Sequence, residues 1–515
     1  MAPVQADHFD ADNVPRRGWA SVVRTQLDRP LSVGWCVVGW LVATTLFVGF
    51  ATATGGPGPG TVDSSESIYS TWAIAHGQLA CAFPTVTLPH EPLIAPVYPL
   101  YSGALAALTH IGQSLPFPSR VAMGPNCGTA IHAIRQWAFH SGAYLPTRWI
   151  AFTSWLVLMT GVVAWLRASG RGRCGWEPAT LIVLACLPPL WIAVSHYFHP
   201  QDLVALGLAL AAIACAVRDR WAGAGVLVAL AVLSQQYALL VAAPLLVVAP
   251  QGRRARFIVG AAGAAAVIVG PFLMAGSPGV LRAITIGSGD TPSTGGAMMW
   301  YLTHQGPAMV LLSRVLPIVL ASAAAAVVSR RLGPAALRPP TLSSLIAFCL
   351  SLRLLFEQNF FAYYVVALVI ALILADIARD NVRGSLVAWV ASLTMVFTID
   401  GYFLKITSGL HGEVVIPLLV ILTAMGLTVY GVVRGHTWSK WTKLLWAAFV
   451  LCTVITWPLK ANLVLLRAPT WVWQALFVVT GAMLAAGPLL GDIRDLTPRA
   501  APPIRDVDVA SAAIS

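Results

Sequence analysis

Apolar runs of about twenty residues recur along the chain between short polar or basic turns, the first at 31–50. A helix of that length crosses a hydrocarbon core about 30 Å thick, so the pattern predicts an all-α polytopic membrane protein. The first span is expected at 32–54. A long segment, 55–147, follows with few basic residues and many Pro, Gly and aromatic side chains. It reads as an external loop folded on the membrane surface. Further spans are expected near 149–166, 178–195 and 201–217.

The stretch 221–250 is apolar, yet Ser234, Gln235 and Gln236 interrupt it. Consecutive amides deep in a bilayer are tolerated where they face protein or a wet cavity. Each half is short at about 1.5 Å of rise per residue, so 221–250 reads as a re-entrant pair of helices meeting at Gln235 and Gln236. Spans near 257–275 and 307–328 come next. A second broken pair is expected at 341–377, with Arg353, Glu357, Gln358 and Asn359 between its apolar halves. Four last spans fall near 385–402, 414–433, 443–459 and 470–490, for about fourteen helices within a transmembrane unit of 32–490.

Composition agrees with this reading. Of the 515 residues 57% are hydrophobic and 10% charged, where a soluble domain carries about 25% charge; disorder, fibrous repeats and a water-soluble enzyme are excluded. Basic residues outnumber acidic ones by 32 to 20, for a net +12. They gather in short turns and at the chain ends, at Arg24 and Arg29, Arg167 to Arg173, Arg218 and Arg220, Arg253 to Arg256, Arg330 and Arg331, Arg379 and Arg383, and Arg494 and Arg499. Short basic loops stay in the cytoplasm. The charge therefore reports orientation and calls for no nucleic-acid partner, and both tails, 1–31 and a disordered 491–515, are expected in the cytoplasm. The first residues lack a basic stretch and a cleavage site, unlike a cleaved signal peptide.

The eight cysteines do not make a disulfide scaffold in so long a chain. Cys36, Cys174, Cys186, Cys215, Cys349 and Cys452 fall in or beside helices or in a cytoplasmic turn. Cys81 and Cys127 share the external loop and are the disulfide candidate if that side is oxidising. There is no CxxC pair, His-rich tract, Walker loop, GxSxG elbow or Rossmann fingerprint. No particular metal or cofactor is implied, although a divalent cation is left open.

Polar residues that survive in such an apolar chain are the functional candidates. Asp63 and Glu66 stand just beyond the first span, with Tyr69 after them. Either carboxylate could serve as a general base on an acceptor hydroxyl; the same spacing is a capping box that would start a surface helix through Tyr69 and Trp72. His196, His199 and Asp202 surround Pro200 at an external helix start, where imidazole and backbone N–H groups could hold a phosphate. Two His and one Asp are a weak metal signal. Arg353 with Glu357, Tyr363 and Tyr364 interrupts a hydrophobic hairpin. Its spacing from Glu357 suits a structural ion pair, and its chemistry suits a phosphate on a lipid carrier. Gln235 and Gln236 either cap their own helix ends or bond a polar ligand. Arg282, Asp290, Trp300, Tyr301 and His304 fit a substrate-facing loop or a merely solvated one.

These passages resemble the C-type superfamily of integral membrane glycosyltransferases, in particular its polyprenyl-phosphate-mannose-dependent, actinobacterial branch. The sequence Phe-His-Pro-Gln-Asp at 198–202, the helix after it, the turn 218–225 and the segment 230–239 resemble that branch's His-Pro-acid helix, basic turn and Lys-Gln-aromatic re-entrant pair. Glu66-Ser-Ile-Tyr69 followed by His76-Gly77 is similar to its first external loop, and 353–364 to a later Arg-and-aromatic segment. The likeness is best over 60–250. The family usually has Asp where Glu66 stands, so the base is Glu66 or Asp63, and it often has Lys where Gln235 stands.

The resemblance implies a C-type bundle and an inverting transfer from a polyprenyl-phosphate sugar to a lipid or glycan acceptor, on the external face of a bacterial plasma membrane. It assigns Glu66 or Asp63 as base. His199, Arg353, Gln235, Gln236 and His196 then face the donor phosphate, and Tyr69, Asp202, Glu357, Tyr364 and His304 position substrate. A polyprenyl-phosphate-arabinose donor, or a transporter or flippase of lipid-linked substrates, are the alternatives; discontinuous helices also mark transport sites.

Overall fold

The computed structural model describes residues 19–53, 70–75, 77–83, 95–108, 144–195, 198–277, 279–285, 307–356, 362–379 and 486–493. Among the described residues there is no strand, and the sole bridge joins Pro30 to Cys174. The chain is an all-α membrane protein. Five described helices are long and apolar enough to span a bilayer: Val33–Thr52, Trp149–Ala168, Pro200–Val217, Gln251–Met274 and Ser313–Leu337.

In chain order the helices are α1 (Trp19–Leu27), α2 (Val33–Ala53), α3 (Val97–Leu108), α4 (Tyr144–Ala168), α5 (Trp176–Ala185), α6 (Pro188–Ser195), α7 (Pro200–Val217) and α8 (Trp221–Ser234). A 3-10 turn, Gln236–Ala238, leads into α9 (Leu239–Val248). Then come α10 (Gln251–Met274), α11 (Gly279–Thr285), α12 (Pro307–Leu332), α13 (Pro339–Phe356) and, after a 3-10 turn at Ala362–Val365, α14 (Val366–Ala378).

The span expected as one helix at 178–195 is instead two, α5 and α6, bent by 63°. Pro188 and Pro189 lack the N–H groups that would continue α5, and they disfavour helical backbone before them. The break at Gln235 has the expected place. Gln235 is extended, at φ −157° and ψ 130°, and the helices on its two sides pack on different neighbours: α8 on α7 and α10, α9 on α12 and α13. In the second broken pair, α13 packs along α14. The spans expected at 385–402, 414–433 and 443–459, and 470–485 of the last one, lie outside the described residues.

Lipid offers no hydrophobic drive between helices, so close packing holds such a bundle. α4 crosses α7 at Gly161 and Gly207. A Cβ on Gly207 would stand 2.5 Å from the Val157 carbonyl oxygen, and one on Gly161 would run into the Gly207 carbonyl. Gly225 of α8 and Gly260 of α10 make a second crossing of the same kind, against the backbone of Phe257 and Ala222.

Several arginines expected to mark topology also hold the fold. Glu177, fully buried, accepts hydrogen bonds from Arg167 (3.1 Å), Trp40 Nε1 (3.1 Å) and the Arg173 N–H (2.9 Å). Asp28 accepts from Arg171 (2.8 Å) and Trp176 Nε1 (2.9 Å), and the Leu31 N–H donates to Arg173 O. Residues 27–31, read as part of a tail, are thus docked on the turn between α4 and α5. Near the other end of the chain, helical residues 486–493 run past the expected boundary at 490. There Arg379 binds both oxygens of Asp492 (3.0 and 2.6 Å) and Thr341 donates to one of them (2.7 Å). Burial opposes ionisation of Asp492, but these hydrogen bonds outweigh it and hold the carboxyl below its usual value.

Parts of 55–147 cover one end of the bundle. Trp72, Ala82 and Phe83 pack with Leu233 of α8, Phe272 of α10 and Ala283 of α11. Phe83 meets Phe272 edge to face at 4.9 Å, and Ser277 donates to the Phe83 carbonyl. From α3, Tyr98 is buried with Ile150 and Phe198, and the Tyr101 hydroxyl donates to Ile150 O at 3.0 Å.

Candidate functional site

The turn between α6 and α7 depends on Phe198, whose φ of 56° is left-handed. That conformation costs a side-chain-bearing residue about 1–2 kcal/mol, and burial against Tyr98 and Ile150 holds it in place. The turn makes His199 the N-cap of α7 and Pro200 its first residue. The His199 N–H donates to Ala193 O at 2.7 Å. Its ring has Nδ1 2.9 Å from Gln201 Nε2 and 3.8 Å from Asp202 Oδ2. One face stacks on Tyr363, with centroids 4.1 Å apart and planes 20° from parallel.

A second group adjoins the first. The Tyr237 hydroxyl, just beyond the Gln235 break, donates to the backbone oxygen of Asp202 at 2.7 Å. Arg353 lies between two rings, its guanidinium carbon 4.6 Å from the centroids of both Tyr237 and Tyr364. Tyr364 meets Tyr363 edge to face at 4.6 Å. Residues far apart in sequence, 198–202, 235–237, Arg353 and 363–364, therefore converge, at the bundle end that the segments 70–75 and 77–83 and α3 cover.

The cluster sets a cation, Arg353, and an imidazole, His199, near the buried Asp202 carboxylate, and its cationic side can meet an anion. Aromatic faces on both sides fix a guanidinium as a planar cation with donors at its edge. The start of α7 adds the positive end of a helix dipole, while Pro200 has no N–H and those of His199 and Asp202 are bound to the Ala193 and His199 carbonyls. Among the described residues, no group of three or more His, Cys, Asp or Glu is placed to hold a metal ion.

Of the residues singled out from sequence, His199, Asp202, Arg353 and Tyr364 come together. Gln236 serves the fold: its Nε2 donates to Ala283 O (3.1 Å) and Ile284 O (2.9 Å), capping α11. Gln235 Oε1 accepts from the Gln236 N–H at 3.3 Å across the break. Asp63, Glu66, Tyr69, His196, His304, Glu357 and Cys127 lie outside the described residues. Cys81 is disulfide-bonded, whereas Cys36, Cys174, Cys186, Cys215 and Cys349 are free. Sequence reasoning gave no role to Gln201 or Tyr237. Their signal is position, two residues after the histidine and directly after the paired amides, and a search for ionisable groups passes over both.

No protein-family model matches the chain, and no curated protein matches it.

Proposed function

We propose that this chain is an inverting C-type glycosyltransferase. It moves a sugar, mannose in the first instance, from a polyprenyl-phosphate donor to a glycolipid or glycan acceptor at the outer face of a bacterial plasma membrane, with both termini in the cytoplasm. The observation that carries the proposal is the meeting of His199, the start of α7 and the ring-clamped Arg353 at one end of an apolar bundle. A lipid-linked phosphate would bring its anion to such a place and leave its tail among the helices.

The acceptor oxygen attacks the anomeric carbon while Asp63 or Glu66 takes its proton. The bond from that carbon to the phosphate oxygen breaks, and polyprenyl phosphate leaves with the electron pair. Arg353 and His199 balance the growing phosphate charge, and the remaining work is alignment. The cysteines support an outer site. Cys81, in a segment packed at this end, is disulfide-bonded, while Cys174 and Cys215 beside basic turns are free thiols.

Purified protein is incubated with radiolabelled polyprenyl-phosphate mannose or polyprenyl-phosphate arabinose and membrane acceptors, beside Asp63→Asn and Glu66→Gln. Transfer from one donor, lost in at least one variant, is expected. No transfer from either donor overturns the proposal, and full activity in both variants overturns the assignment of the base. Passage of the donor lipid across vesicles without transfer would identify a transporter instead.

A further inference from the structure

We propose that Gln201 sets the tautomer of His199, so that the neutral imidazole carries its proton on Nε2 and donates from that edge to a phosphate oxygen; only the identity of this ligand rests on the function proposed above. Gln201 Nε2 is 2.9 Å from His199 Nδ1. An amide nitrogen has protons to give and no lone pair to offer, so Nδ1 must be the acceptor. The one proton of the neutral ring then sits on Nε2. Asp202 does not compete for this edge, because 3.8 Å from Oδ2 to Nδ1 exceeds hydrogen-bond reach.

The orientation of the amide is decided by what surrounds it. Gln201 is 5% exposed, and its Oε1 is buried with no hydrogen-bond partner among the described residues. Turning the amide over would satisfy that oxygen with an Nδ1 proton, but it would leave an NH2 group and its two donors in the same buried place. Folded proteins leave buried carbonyl oxygens under-satisfied more readily than they orphan buried N–H groups. The ring is also held: Tyr363 covers one face, and the backbone at 199 is anchored to Ala193. Gln201 acts on the ligand through the histidine, which makes it a positioning residue. Its place is fixed by helix geometry, since it is the second residue of a helix whose N-cap is the histidine.

The test is solid-state nitrogen NMR on the full chain in lipid, with histidine labelled at Nδ1 or at Nε2 and the His199 signal identified by its loss in His199→Gln. Above the imidazole titration, an unprotonated Nδ1 and a protonated Nε2 are expected. Gln201→Glu, whose carboxylate can only accept, is expected to move the proton to Nδ1. A protonated Nδ1 in the wild type overturns the proposal, and so does an unchanged tautomer in Gln201→Glu. If that variant does not fold, Gln201→Met, which keeps the volume and removes the donor, is expected to lose the excess of the Nε2 form; an undiminished excess overturns the proposal. Added polyprenyl phosphate should shift the Nε2 resonance, and an unmoved resonance overturns the ligand half. A wild type that shows the expected tautomer but transfers no sugar supports the role of Gln201 and removes only the glycosyl-transfer function.

Discussion

His199 and Tyr363 stack nearly parallel, 4.1 Å apart, and so tie the first residue before α7 to the turn before α14. Tyr363 meets Tyr364 edge to face, and Tyr364 flanks Arg353, so the imidazole and the guanidinium are held by one connected set of rings. An aromatic pair adds about 1 kcal/mol beyond its buried area. Tyr363→Leu should therefore lower kcat/KM for the donor by about fivefold, while Tyr363→Phe stays near wild type. An equal loss in both variants would assign the effect to the hydroxyl instead of the ring.

Arg353 separates charge from shape. Lys in its place keeps the charge but loses the flat guanidinium that fits between Tyr237 and Tyr364. Charge-assisted hydrogen bonds contribute about 1.5–3 kcal/mol, so Arg353→Gln should weaken binding of polyprenyl phosphate by about tenfold to a hundredfold. Arg353→Lys should fall between Gln and the wild type. A titration that monitors lipid phosphate binding decides, and unchanged affinity in Arg353→Gln would remove Arg353 from the site.

Legibility in the sequence followed the range of the forces involved. The first span and the break at Gln235 are local: one is a run of apolar length, the other two amides that cannot sit in lipid. Pro188 and Pro189 carry an equally local signal, yet the unbroken apolar run around them suggested a single helix. The meeting of Tyr237 with Arg353 is different in kind. Helical spacing offered Glu357 as a partner of Arg353, and Glu357 lies outside the described residues; the ring contact at Tyr237 comes from beyond another break and depends on how the helices pack. Nothing between residues 237 and 353 announces it.

Asp492 provides a pH dependence outside the site. Its carboxyl is held below the usual range, so its contribution is fully present above about pH 4, the ordinary unfolded value, and is lost as pH falls through the lower folded one. Amide protection over 486–493, relative to intrinsic exchange at each pH, should fall on acidification below that point. Asp492→Asn should show the same loss of protection at neutral pH, with the docked segment weakened by about 1.5–3 kcal/mol. Protection that stays at the wild-type level in the variant would mean that the contacts of Arg379 with Ser344 and Pro340 suffice.

The crossing of α4 and α7 links packing to the site, because α7 carries His199 at its start. At Gly207 a Cβ would stand 2.5 Å from the Val157 carbonyl oxygen, and the obstacle is backbone, which cannot turn aside as a side chain would. Gly207→Ala must therefore push the two helices apart, and overpacking of this kind costs about 1–3 kcal/mol. Gly263 on α10 is the control: it meets nothing within 4 Å, and Ala there gains up to about 1 kcal/mol of helix propensity. Thermal unfolding in detergent should fall for Gly207→Ala and hold or rise for Gly263→Ala. Transfer should fall further than stability alone accounts for in Gly207→Ala, because a displaced α7 carries the His199 ring away from Tyr363. A Gly207→Ala protein with wild-type melting would show that the helices do not approach as closely as this crossing requires.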